Sequence, residues 1–176
     1  MYLLQGRPPC IMIEIKELWK KGEDNMKYLA VILGIFGLET GIKNYIEKNK
    51  EEGSEDLRCG NALIIRKHHN RGAFLNAGQE RQRTVMIVSV LLTALLTVVY
   101  VVTLGHTGKG LLKWGLTLLL GGAYTNTYDR VVRKFVVDYV SFNVPFRWLR
   151  RIIFNIGDFC IMIGALMSVL GYCDGE

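Results

Sequence analysis

Two aspartates, Asp138 and Asp158, stand in stretches of chain that otherwise suit a membrane. Asp138 follows the apolar run FVV and precedes an aromatic residue. Asp158 lies at the start of FNIGDFCIMIGALMSVLGYC, with no cation near it in sequence, three residues after Asn155. That spacing lets the amide and the carboxyl face the same way on a helix. Two carboxyls brought together where the dielectric is low cannot both ionise easily, so one pKa rises and the pair shares a proton. Such a pair holds a base to activate water and an acid to protonate a leaving group. The residues alone leave two other readings open, a proton or ion pathway and a structural hydrogen-bond network.

Other ionisable groups sit at membrane depth, where unpaired charge is costly and usually marks function. Glu39 and Lys43 are four apart and could pair on one helix face. Asn126, Asp129 and Arg130 cluster at the end of another apolar run, where Asp129 beside Arg130 reads equally well as a structural ion pair. No metal site is expected: Cys10, Cys59, Cys160 and Cys173 show no C-x-x-C spacing, and His68, His69 and His106 are scattered.

The elements that must position these groups are apolar. Half of the 176 residues are hydrophobic, and they gather in runs comparable to the roughly 20 residues that cross a bilayer. TVMIVSVLLTALLTVVYVVTL is uncharged on every face and reads as a transmembrane helix. With three further runs the spans fall at about 28–46, 84–104, 111–130 and 154–173. Gly121-Gly122 in the third would permit close helix approach. The fold class expected is an all-α membrane protein of four transmembrane helices, with a small β-like platform at the membrane surface between helices 1 and 2. The platform is read from LIIR and AFL, short apolar pieces broken by Asn70, Arg71 and Gly72. Trp148 among the arginines of FRWLRR suits a headgroup-level anchor. The net charge of +6 suits anionic lipid rather than nucleic acid, because four spans leave no soluble basic domain.

Residues 1–25 are polar and lysine-bearing and form an extension ahead of a single domain at 26–176. Met26 opens MKYLAVILGIFGL, and the codons for Lys21-Gly22-Glu23 would make a purine run like a bacterial ribosome-binding site. Translation from Met26 is therefore expected. The alternative is that EIKELWKK lies as an amphipathic helix on the membrane surface. Counting cations alone would put both long connections in the cytoplasm.

Four ordered blocks resemble those of signal peptidase II, the bacterial lipoprotein signal peptidase: NRGAF, GGAYTNTYDR, VVDY and FNIGD. The resemblance covers roughly Met26 to Tyr172. It implies that Asp138 and Asp158 are a catalytic dyad, that Asn126, Asp129, Arg130 and Asn155 support the site, and that Asn70 and Gly72 help hold substrate. Glu39 and Lys43 join the substrate-binding set. The implied activity is an intramembrane aspartic endopeptidase that cleaves diacylglyceryl prolipoproteins just before the lipidated cysteine, with no metal or organic cofactor. The implied partners are those lipobox signal peptides and membrane lipids, with no nucleic acid, and the enzyme is expected to act as a monomer. The resemblance places a multi-pass protein in the bacterial cytoplasmic membrane with termini inside and the site toward the outer leaflet, against the cation count. A non-catalytic relative that binds lipidated peptides is the alternative, with a proton-coupled transporter behind it. The first span departs from the family's L-D-Q-x-T-K: here it is LETGIK, with Glu39 in the acid's place and Thr40 in the glutamine's. Thr125 stands for a glycine and Gly157 for an alanine.

Overall fold

The computed structural model describes residues 10–73 and 78–173, and the side chains of 10–21, 23, 24 and 79 lie outside that description. The amphipathic reading of EIKELWKK and the AFL piece beyond Ala73 therefore fall outside it. The order is α1 (Cys10–Asn49), β1 (Asp56–Arg58), β2 (Leu63–Asn70), a 3₁₀ turn (Gln79–Arg81), α2 (Gln82–Gly105), α3 (Gly110–Val132), β3 (Val136–Phe142), α4 (Arg147–Arg150) and α5 (Ile156–Cys173).

Among the described residues three helices are long and apolar enough to cross a membrane: Asn25–Asn49 within α1, all of α2 and all of α5. Their outward faces carry exposed Leu, Val and Ile, such as Leu33, Leu91, Val101 and Leu166, the arrangement lipid rather than water rewards. α3 differs. It is 23 residues long but holds Lys113, Asn126, Asp129 and Arg130. It packs against α1, α2 and α5, so its polar groups meet other helices instead of acyl chains.

The seam between α3 and α5 is made of glycines. A methyl group added at Gly122 would lie 2.2 Å from the Gly157 carbonyl oxygen, and one at Gly164 would lie 2.4 Å from the Leu119 amide nitrogen. Backbone therefore touches backbone, the close approach small residues allow between membrane helices. The Gly121-Gly122 pair serves two partners: Gly121 faces Ile35 of α1 while Gly122 faces α5.

The platform is an antiparallel three-stranded sheet in the order β1-β2-β3. β2 runs unbroken to Asn70 and turns back onto β1 through Cys59, Gly60 and Asn61, all at positive φ. Its other neighbour, β3, comes from the connection between α3 and α5, so the platform draws on both long connections. β3 is buried on both faces; Val137 and Tyr139 pack on Ile46 of α1. With both faces covered, VVDYVSF lacks the alternation that reveals a half-buried strand.

Candidate active site

β3 presents Asp138 beside the start of α5. The link is a bridge between Val140 and Phe154: the Val140 amide donates to the Phe154 carbonyl at 2.8 Å, and the Phe154 amide donates back at 2.7 Å. One residue later, Asn155 precedes the first turn of α5. Its Oδ1 accepts the Asp158 amide at 2.9 Å, while Asp158 Oδ2 accepts the Asn155 amide at 3.0 Å. This reciprocal capping box fixes Asp158 at the helix N-terminus, where the dipole favours a carboxylate.

Three asparagines hold the two aspartates, and each is oriented by a donor that occupies its own carbonyl oxygen. Asn155 Oδ1 takes the Asp158 amide, so Nδ2 donates to Asp138 Oδ1 at 2.7 Å. Asn70 Oδ1 takes the Gly72 amide, so Nδ2 donates to Asp138 Oδ2 at 3.0 Å. Asn126 Oδ1 takes Lys43 Nζ at 2.8 Å, so Nδ2 donates to Asp158 Oδ1, also at 2.8 Å. Among the described residues neither aspartate is in an ion pair. Asp138 is 2 % exposed. Burial, then the charge of Asp158, pushes its carboxyl up to about 7, against the amide hydrogen bonds.

Asp138 and Asp158 line one cavity of about 290 Å³ with Asn70, Asn126 and Arg130. The rest of its wall is mostly apolar, from Leu92 and Leu96 of α2, Leu119 of α3, and Ile161 and Met162 of α5. A second hollow meets it at Asn70 and Asp138 and is walled by His68, Trp148 and Arg151. His68 faces Asp138 across the β2–β3 ladder, and burial lowers its pKa. Trp148 of α4 is strongly exposed, as a headgroup anchor requires.

The remaining site candidates form a dry cluster behind this cavity. Lys43 is 1 % exposed and lies 2.9 Å from Asp129 and 3.5 Å from Glu39. Asp129 also pairs with Arg133 at 3.2 Å and accepts the Val137 amide. The pairing of Asp129 with its neighbour Arg130 is therefore replaced by Lys43 and Arg133. Successive residues on a helix point about 100° apart, so Asp129 faces α1 while Arg130 faces away. Arg130 donates to the Gly72 carbonyl at 3.1 Å and the Asn126 carbonyl at 3.3 Å, so it ties the Asn70–Ala73 turn to α3. Glu39 is 1 % exposed and accepts the Tyr139 hydroxyl at 2.7 Å. That hydroxyl in turn receives the Ile156 amide at 3.4 Å. Neither Glu39 nor Lys43 lines the cavity. Tyr139 had no role in the sequence reading; its place beside Asp138 in VVDY was the available signal.

A family model described as signal peptidase (SPase) II matches residues 31–173. The chain belongs to the signal peptidase II family. It is a membrane protein of a peptidase family, and the fold agrees. A bacterial membrane enzyme solved in meso at 2.3 Å superposes with a TM-score of 0.72 at 20 % identity, covering 84 % of this chain and 88 % of that one. Another, solved in meso at 1.9 Å, gives a TM-score of 0.67 at 21 % identity, covering 83 % and 92 %. At these identities the likeness establishes a shared fold and leaves the chemistry to the residues.

Proposed function

We propose that this chain is the aspartic endopeptidase that removes signal peptides from diacylglyceryl-modified prolipoproteins, cutting before the lipidated cysteine. The observation that carries the reading is the meeting of Asp138 and Asp158 at the polar end of an apolar cavity between α2, α3 and α5. The two carboxyls share one proton; in the reactive arrangement Asp138, whose carboxyl is pushed up to about 7, carries it and Asp158 acts as the base. A water between them gives its proton to Asp158 as its oxygen attacks the scissile carbonyl carbon. Asp138 then protonates the cysteine nitrogen as the carbon–nitrogen bond breaks. Asn70, Asn126 and Asn155 position the carboxyls, and Lys43 and Glu39 act through Asn126 and Tyr139 rather than on substrate. Arg130 holds the Asn70–Gly72 turn over the site.

The cavity's apolar wall would receive the acyl chains and the signal helix, which come sideways out of the bilayer. α3 would be the fourth crossing, its polar face turned to the other helices. A single peptidase domain over 26–176 would sit in the bacterial cytoplasmic membrane with the sheet outside, because the lipidated substrate lies in the outer leaflet.

The test is cleavage of a diacylglyceryl prolipoprotein by purified protein in detergent, with Asp138→Asn and Asp158→Asn alongside. Turnover should fall by about 10²–10⁴-fold in each, while neither variant should lose more than about 1 kcal/mol of stability against the parent. Undiminished cleavage by either variant would overturn the dyad. Binding of substrate without turnover in the unaltered protein would make it a binding relative.

A further inference from the structure

A hollow of about 390 Å³ opens beside the site, on the far side of Arg130, and its lining is cationic. Arg71, Arg83, Arg130 and Lys134 surround it with Gln82, Val85 and Met86, and among the described residues no carboxylate lines it. Its depth in the membrane is fixed by α2. The hollow takes the first turn of α2, and the lipid-facing band of that helix begins immediately after, at Ile87 and Val88. The hollow therefore lies at the boundary between headgroups and acyl chains.

Two details show that the positive charge is built in. The Nε of Arg130 is buried and has no hydrogen-bond partner, an orphaned donor of the kind that usually signals an absent acceptor. Lys134 ends α3 in the left-handed region, φ 70°, with its amide on the Asp129 carbonyl. That position normally belongs to glycine, and a lysine there accepts backbone strain while keeping a cation at the rim.

We propose that this hollow holds the phosphodiester of an anionic phospholipid, with its chains lying along α2 past Val85 and Met86. Clustered cations at headgroup level gain about 1 kcal/mol each from anionic lipid. The site is separate from the peptidase reading: its ligand carries a phosphate, which a diacylglyceryl group lacks.

The experiment is titration of fluorescent phosphatidylglycerol into the purified protein in a non-ionic detergent, with unlabelled phosphatidylglycerol, phosphatidylcholine and inorganic phosphate as competitors. Unlabelled phosphatidylglycerol should compete, and phosphatidylcholine should not. Arg83→Gln and Lys134→Gly should each weaken binding by about fivefold. Lys134→Gly relieves the strained backbone, so it should unfold no earlier than the parent and still bind less lipid. Arg147→Gln with Arg150→Gln removes two cations elsewhere, on α4, and should leave binding unchanged. An equal loss in that control would assign the effect to general charge and overturn the site. Displacement by inorganic phosphate as effective as by the lipid would overturn the lipid assignment. Binding unaltered by Arg83→Gln and Lys134→Gly would overturn it outright.

Discussion

The molecule carries two pairs of carboxylates inside its helical bundle and sheet, and they are held in opposite ways. Glu39 and Asp129 face the ammonium of Lys43, and Asp129 also has Arg133. Among the described residues Asp138 and Asp158 accept hydrogen bonds only from amide side chains and backbone N–H groups. A cation within an ion-pair distance favours the charged form of a carboxylate. Amide donors orient it and leave the proton free to come and go. The contrast separates the groups that brace the helices from the groups suited to proton transfer, and Asn126 joins them, with its oxygen on Lys43 and its nitrogen on Asp158.

The hardest blow to this division is Lys43→Met. It would strand Glu39 and leave Asp129 with Arg133 as its one cation, and breaking a buried pair by removing one partner costs about 3–5 kcal/mol. It would also free Asn126 to turn its oxygen toward Asp158. Chemical or thermal unfolding in detergent should show the loss. A variant as stable as the parent would mean that the two sets of carboxylates are not held differently.

Asp138 should make the stability of the fold depend on pH. A carboxyl whose folded pKa lies at about 7, above its ordinary value near 3.8, favours folding in its protonated form. Its contribution is fully present below about pH 4 and is lost as pH rises through 7, with a slope of at most about 1.4 kcal/mol per pH unit. Unfolding measured from pH 4 to 8 should show that decline, and Asp138→Asn should flatten it. In the proposed mechanism kcat/KM should also fall above pH 7, as the shared proton leaves. A decline of equal slope in Asp138→Asn would place the titrating group elsewhere.

Placement of the dyad depends on the glycine seam, and two glycines sharpen the comparison between a packed and an open position. A methyl at Gly122 meets the Gly157 backbone, whereas one at Gly41 meets nothing within 4 Å. Gly122→Ala should push the start of α5 off α3, costing about 1–3 kcal/mol, and reduce turnover by moving Asp158. Gly41→Ala should be neutral or raise stability by up to about 1 kcal/mol through helix propensity. Equal effects from the two would show that the seam does not set the position of Asp158.

What could be read from the sequence was local. Asn155 with Asp158, three apart, and Glu39 with Lys43, four apart, follow from helical spacing, and helices occupy the apolar runs, although α1 already begins at Cys10. What could not be read was long-range. β3 escaped because burial on both faces removes the period-2 signal, and its partner β2 lies two helices away in the chain. The partners of Asp129 were misread because adjacency in sequence is not adjacency on a helix. Gly157, Gly164 and Gly171 recur at a fixed interval along α5, a small-residue stripe that was visible in the sequence and marks its seam with α3.

The smallest change that probes the comparison is Tyr139→Phe. The hydroxyl of Tyr139 joins Glu39 of the braced set to the amide of Ile156 at the start of α5. Burial and the charge of Glu39 hold the phenol above its ordinary pKa, so it remains a donor at neutral pH. Removing it leaves Glu39 Oε2 without its donor, a net cost of about 1–2 kcal/mol, and changes no group that lines the cavity. Stability should fall modestly, kcat should change by less than about tenfold, and the pH midpoint of activity should stay where the dyad sets it. A shifted midpoint would mean that Glu39 is electrically coupled to Asp138 through Tyr139, and that the braced carboxylates and the titrating ones form one network instead of two.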